Sequence, residues 1–228
     1  MQIIKLHRNA VPNLQIAAAL MLVAAMVTLA FVKIGLAPVL IVGGSSVVGI
    51  FLWRWTYEFG PVPASVLLPP FLLTVAGLEI HMIEEYFTHF GPAMSRLFDI
   101  TWTDSSFIII FVFAGPIVYA LTALGIFFEK TFAGFVAWFI LIGPGCAELS
   151  HFIFPFLKPA IEPGNQNTLA HSFQNGVVIE ALPNFYFGVT GRYYFPGLYT
   201  AVIPMIPGIY GIFKVVRWRR SYRAKRIN

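Results

Sequence analysis

Residues 64–89 read ASVLLPPFLLTVAGLEIHMIEEYFTH. The first part of this stretch is apolar, and the whole is long enough for a membrane-spanning helix. Its second part carries three carboxylates and two imidazoles. Ionisable side chains cost a few kcal/mol each near the centre of a bilayer, so those found there commonly have a function. The stretch therefore predicts a membrane helix that contributes to a functional site.

The composition of the whole chain also indicates a membrane protein. Its 228 residues are 58% hydrophobic and 11% charged, and the mean hydropathy is +0.77. A soluble domain would have about a quarter of its residues charged. We therefore expect an all-α, polytopic transmembrane helical bundle that forms one integral membrane domain over residues 1–228, with no soluble domain.

The length suffices for about six spans of roughly 20 residues each. We expect these spans at residues 14–32, 37–53, 64–89, 105–128, 131–156 and 197–216. Residues 91–104 are predicted to be a polar connection. Residues 168–182 are predicted to form an amphipathic helix, either re-entrant or lying at the membrane interface.

Basic residues are concentrated at the end of the chain. The tail from Arg217 to Arg226 holds six of the fifteen Lys and Arg residues. Such a run beside an apolar span normally marks the cytoplasmic side and contacts membrane lipids. With six spans, both termini are then expected in the cytoplasm. We expect no nucleic-acid partner.

The third span carries the first group of candidate metal ligands. His81, Glu85 and His89 follow each other at intervals of four, which places them on one stripe of an α-helix. Glu84 lies close to the same face. One of the two adjacent carboxylates would bind the metal, and the other could instead orient an imidazole ligand.

The fifth span carries a second group. Glu148 and His151 are three residues apart, the spacing by which facing helices supply dinuclear carboxylate-bridged sites. Neither span has a Lys or Arg within its acidic stretch. Close carboxylates without cations either take up protons or hold a metal. We therefore expect one metal site between the third and fifth spans; a metal-free proton or ion pathway and a purely structural network are the alternatives.

Three later residues could complete the site. His171 is predicted to be a metal ligand, on one stripe with Asn167. Glu180 is a further candidate ligand, although a straight helix would turn it away from His171. Tyr194 is either an aromatic anchor at the interface or a phenol that hydrogen-bonds to a metal ligand or the substrate.

The ligand types restrict the metal and its chemistry. The single cysteine, Cys146, excludes a thiolate-rich site. Imidazoles and carboxylates suit iron, zinc or manganese. The leading hypothesis is a non-haem iron oxidoreductase with one or two irons, acting on a lipid or hydrophobic small molecule. The alternatives are a zinc hydrolase with Glu84 or Glu148 as catalytic base and a proton- or ion-coupled transporter with a His/Glu relay.

Several of these residues also match a known family pattern. The sequence has His81-x-x-Glu84-Glu85, then Asn167-x-x-x-His171, then YFPGLYTA at 194–201. In this order and spacing it resembles the HXXEE-motif family of bacterial membrane proteins, over about residues 72–212. The resemblance implies a membrane-bound metalloenzyme of undefined activity in a bacterial inner membrane, with functional roles for His81, Glu84, Glu85 and His171. The two spans before residue 60 would be an addition to the family pattern.

Overall fold

Helices dominate the structure, a computed structural model that describes residues 11–33, 35–100, 102–161, 173–174, 177–178 and 185–227. Five stretches are long and apolar enough to cross a membrane: Asn13–Val32, Val39–Thr56, Ala64–Phe87, Asp104–Phe127 and Thr131–Phe156. They suggest an integral membrane protein, as the sequence predicts.

The first two helices pack together at one side of the bundle. Helix α1 is Asn13–Lys33 and helix α2 is Leu36–Thr56. Helix α2 also packs on helix α7, Thr131–Cys146. This contact is close because Gly49 faces the backbone of α7: a Cβ atom there would lie 3.4 Å from the backbone nitrogen of Phe139. Small residues commonly allow such approaches between membrane helices.

The central helix is α3, Ala64–Phe87, which packs along the last helix, α9, Val202–Ile227. A Cβ atom on Gly77 would lie 3.0 Å from the carbonyl oxygen of Ile203. At the other end of α3, Lys214 Nζ donates to the carbonyl oxygen of Ser65 at 3.2 Å. The two helices therefore run antiparallel.

The sixth predicted span, 197–216, differs from the structure at both ends. Helix α9 begins at Val202 and continues through the basic tail to Ile227. Lys214, Arg217 and Arg219 therefore lie within the helix, and α9 is not among the five apolar stretches. Among the described residues, five candidate spans are present where we expected six.

A short helix caps the bundle after α3. Helix α4, Phe90–Phe98, is almost entirely buried. The prediction of a polar connection at residues 91–104 was therefore wrong for its first part. The apolar residues Phe90, Met94 and Leu97 recur at helical spacing, and all three join a buried cluster.

The fourth span is built from three consecutive helical segments. These are α5, Asp104–Phe107, a π-helix, Ile108–Ala114, and α6, Gly115–Phe127. Helix α6 packs against α3 and α7.

The region before α9 contains short elements. Strands β1, Phe173–Gln174, and β2, Val177–Val178, pair antiparallel, and helix α8 is Phe187–Thr190. The helix predicted at 168–182 is therefore wrong for these four strand residues. The rest of that prediction lies outside the described residues.

Candidate metal centre

Two segments bring four potential metal ligands together. Helix α3 supplies His81 and Glu85, and a 3₁₀-helix, Ala147–Phe152, supplies Glu148 and His151. One donor atom from each of the four lies within 4.8 Å of every other. The structure thus brings together two groups that are more than sixty residues apart in the chain. We call these four residues the His₂Glu₂ group.

Local helix geometry explains why each pair points the same way. His81 and Glu85 are four residues apart on an α-helix and share one face. Within the fifth span, predicted at residues 131–156, α7 ends at Cys146 and the chain tightens into the 3₁₀-helix. Residues three apart are eclipsed in a 3₁₀-helix, so Glu148 and His151 are aligned better than they would be on an α-helix.

Each imidazole directs its Nε2 atom at both carboxylates. His81 Nε2 lies 3.1 Å from Glu148 Oε2 and 3.4 Å from Glu85 Oε1. His151 Nε2 lies 2.9 Å and 3.2 Å from the same two oxygens. The two rings are nearly perpendicular, at 86°, with centroids 4.9 Å apart. The four donor atoms therefore surround one small volume.

The outer nitrogens of the two histidines are also engaged. His151 Nδ1 lies 2.9 Å from the carbonyl oxygen of Pro196. Because a carbonyl oxygen only accepts, Nδ1 of His151 carries the hydrogen, and a neutral ring then presents an Nε2 lone pair to the carboxylates. His81 Nδ1 lies 2.9 Å from the hydroxyl oxygen of Thr200.

The group is buried and carries its own negative charge. His81, Glu85 and His151 are 0–3% exposed, whereas Glu148 is 13% exposed. Within the described part of the chain, the ion-pair partners of both carboxylates are these two histidines. Two buried carboxylates need balancing positive charge, from protons on the imidazoles or from a cation between the four donors. The group could therefore hold a divalent metal ion, and nitrogen with oxygen donors suits iron, zinc or manganese.

Glu84 points to a different partner, the turn before α9. Its Oε2 accepts hydrogen bonds from the backbone nitrogen of Thr200 at 2.8 Å and from the Thr200 hydroxyl at 2.6 Å. Its Oε1 accepts from the backbone nitrogen of Tyr199 at 3.4 Å and from the Tyr194 hydroxyl at 3.5 Å. Glu84, predicted to be a ligand or base, thus lies beside the His₂Glu₂ group but not within it.

Among the predicted site residues, Glu84 is the one that Tyr194 contacts by a hydrogen bond. Partial burial raises the pKa of its phenol, and the negative charge of Glu84 raises this pKa as well. The phenol therefore stays protonated at neutral pH and can donate its hydrogen to the Glu84 carboxylate.

His89 does not belong to the stripe predicted with His81 and Glu85. Helix α3 ends at Phe87, and His89 adopts a left-handed backbone conformation, φ 57°, just before α4. Its side chain is 59% exposed and lies 2.8 Å from Asp104. His89 therefore lies outside the His₂Glu₂ group, because the helix does not extend far enough to place it on the predicted stripe. His171 and Glu180 lie outside the described residues.

The turn before α9 contributes groups that the spacing of metal-ligand residues does not reveal. Gly197 has φ 86°, and a Cβ atom there would lie 2.6 Å from Cε1 of His151 and 2.9 Å from Cγ of Glu85. Glycine is thus required both for the backbone conformation and for the close approach. Pro196 and Thr200 contact the outer nitrogens of the two histidines. The segment at 194–201 was singled out only by the family resemblance.

Comparisons of this chain with protein-family models, curated proteins and solved structures give no match in any of the three.

Proposed function

We propose that this protein is a membrane-embedded, metal-dependent enzyme that acts on a lipid or hydrophobic small molecule. The observation that carries the proposal is the convergence of His81, Glu85, Glu148 and His151 within 4.8 Å in a buried position. We also propose that it belongs to the HXXEE-motif family. In support, the motif on α3 and the segment at 194–201 meet in space through Glu84 and Thr200.

The reaction class we favour is oxidation by non-haem iron. A ligand set of two histidines and two carboxylates, without a thiolate, suits non-haem iron, which is a redox-active metal. The four donors suffice for one ion; a second iron would need further ligands, for which His171 and Glu180 are the candidates. Glu84 accepts four hydrogen bonds and is therefore held in place, which argues against a role as mobile base.

Aromatic residues around the group support an apolar substrate. The ring of Phe90 lies 5.1 Å from that of His151, and Phe154 lies 5.6 Å from it. On the 3₁₀-helix, Leu149 next to Glu148 is 52% exposed. In a bilayer this surface would face lipid, so a lipophilic molecule can approach Glu148, the most accessible of the four ligands.

A zinc hydrolase is the second candidate, and the accessibility of Glu148 favours it. His81, Glu85 and His151 would form the two-histidine, one-glutamate ligand set of many zinc hydrolases. Glu148 would then act as general base toward a water molecule. In either reaction the bound ion supplies Lewis-acid or redox chemistry, and the protein residues hold, orient and shield the reacting groups.

The proposed topology places both termini in the cytoplasm of a bacterial inner membrane, with α9 as the sixth span. Lys214 contacts Ser65 near the start of α3, on the side of the basic tail. His81 is sixteen residues further along α3, which corresponds to roughly 24 Å at 1.5 Å per residue. The metal centre would then face the non-cytoplasmic half of the membrane.

The test is to incubate purified protein, loaded with Fe²⁺ or with Zn²⁺, in liposomes made from a total bacterial lipid extract. Mass spectrometry then compares the lipids with and without oxygen, for the wild type and for His151→Ala. The iron oxidoreductase predicts new oxygenated or desaturated lipids that require Fe²⁺, oxygen and His151. Cleavage products that form with Zn²⁺ without oxygen would support the hydrolase instead. No metal-dependent change in any lipid under either condition would count against the enzyme.

A further inference from the structure

The turn from Pro196 to Thr200 contacts both histidines of the His₂Glu₂ group from outside. Pro196 accepts a hydrogen bond from Nδ1 of His151 at 2.9 Å, and Thr200 Oγ1 lies 2.9 Å from Nδ1 of His81. The turn itself is fixed to α3 because Glu84 accepts hydrogen bonds from two of its backbone nitrogens. One short segment thus determines how two ligands on different elements are oriented.

The hydrogen-bond directions around Thr200 can be derived from the donor and acceptor groups. Glu84 Oε2 accepts from the backbone nitrogen of Thr200, and the same oxygen lies 2.6 Å from the Thr200 hydroxyl. An ionised carboxylate can only accept, so the single hydroxyl hydrogen of Thr200 points at Glu84. The hydroxyl oxygen then has only lone pairs for His81, and Nδ1 of His81 must be the donor.

We propose that Thr200 is a positioning residue for the metal ligand His81, and that Glu84 acts on this ligand through it. The chain of hydrogen bonds runs from His81 Nδ1–H to Thr200 and from Thr200 to Glu84. It holds His81 with its hydrogen on Nδ1, so that the Nε2 lone pair faces Glu85 and Glu148. This proposal rests on the proposed metal centre.

Hydrogen bonds of this kind have a known effect on metal ligands. A partner on the outer nitrogen fixes the tautomer and ring orientation, and it raises the basicity of the inner nitrogen. Glu84 adds a negative charge two hydrogen bonds away from the ring. In the same way, the Pro196 carbonyl fixes His151. The Thr200 hydroxyl donates to Glu84 and accepts from His81 with the same oxygen, and a serine at 200 would keep this group.

The experiment compares three variants in detergent-purified protein. Thr200→Val keeps the shape but removes the hydroxyl, and Thr200→Ser restores the hydroxyl. The control is Thr74→Val, which removes the hydroxyl of a fully buried threonine on α3, one that donates to the carbonyl oxygen of Pro70. The affinity for Co²⁺ is measured by competition with a chelator, and the visible absorption spectrum of bound Co²⁺ reports on its ligand geometry.

We expect Thr200→Val to bind Co²⁺ about 10–100-fold more weakly, the usual cost of losing such a partner. Its Co²⁺ spectrum should change, whereas Thr200→Ser and Thr74→Val should resemble the wild type. Unchanged affinity and spectrum in Thr200→Val would overturn the positioning role. Equal losses in Thr200→Ser and Thr200→Val would also overturn it, since the hydroxyl would then be irrelevant. A wild type that binds no Co²⁺ would instead overturn the metal centre itself.

A double-mutant cycle tests whether Glu84 acts through Thr200. Glu84→Gln removes the charge but keeps an oxygen that can accept from Thr200. If the two residues form one chain, Glu84→Gln should weaken Co²⁺ binding in the wild type and have little further effect in Thr200→Val. Equal effects in both backgrounds would show that Glu84 acts independently and would refute this part of the proposal.

Discussion

Replacing Gly197 with alanine should remove His151 from the metal centre. The added Cβ atom would lie 2.6 Å from Cε1 and 2.8 Å from Nδ1 of His151, whereas ordinary contacts begin at 3.4 Å. The ring must therefore move by about 0.8 Å, and metal–ligand distances tolerate only about 0.2 Å. We expect the affinity for Co²⁺ to fall at least about 100-fold, equivalent to about 2.8 kcal/mol.

Gly191→Ala is the matched control for this prediction. Gly191 also has a positive φ, 63°, but a Cβ atom there would meet nothing within 4 Å. Both variants carry the cost of an alanine in a left-handed conformation, about 1–2 kcal/mol, and only Gly197→Ala displaces a ligand. Chelator competition measures the affinity, and thermal unfolding in detergent checks the fold. Equal Co²⁺ affinity in the two folded variants would refute the reasoning.

Three further substitutions have distinct expected outcomes. His89→Ala should leave metal content and Co²⁺ affinity unchanged, because this exposed side chain lies outside the group; a loss of metal would contradict the geometry. Glu85→Gln should weaken Co²⁺ binding by more than about 100-fold, because it replaces a charged carboxylate ligand with a neutral amide, a larger change than the loss of an outer hydrogen-bond partner; retention of affinity would exclude Glu85 as a ligand. Arg219→Met should lower the free energy of unfolding by about 3 kcal/mol, because buried Arg219 pairs with Glu58; an unchanged unfolding temperature in detergent would contradict this.

Hydrophobic run length and ligand spacing were enough to predict the membrane helices and to single out the four residues of the His₂Glu₂ group. Apolar runs located the five candidate spans within a few residues of their ends. The four-residue spacing on α3 brought His81 and Glu85 onto one face, and the three-residue spacing paired Glu148 with His151. That the two pairs meet was inferred from shared chemistry, since buried carboxylates without cations need a common partner.

The remaining features depend on local backbone changes that periodicity does not reveal. A pattern of helical spacing cannot show that α3 stops at Phe87, so His89 was placed on the wrong surface. It also could not show that α7 tightens into a 3₁₀-helix at Ala147. The turn at Pro196–Thr200 carries no metal-ligand residue type, and its contribution is made by a carbonyl oxygen and a hydroxyl.

The sixth predicted span is long enough to cross a membrane, but its charged residues keep α9 out of the five apolar stretches. Helix α9 has 26 residues, enough to cross a bilayer, but its second half is basic. Long basic side chains can extend to the membrane surface while their stems lie against apolar groups. Arg219 shows that such a residue can also be buried, with its guanidinium 4.4 Å from the ring centroid of Phe59.

The central claim, a metal centre in the His₂Glu₂ group, is tested most directly by elemental analysis of detergent-purified protein. The wild type is compared with His81→Ala and Glu148→Ala, with His89→Ala as a variant outside the group. The account predicts at least one equivalent of iron or zinc per chain in the wild type and in His89→Ala, and its loss in the other two. Metal-free wild type, or equal metal content in all four proteins, would contradict it.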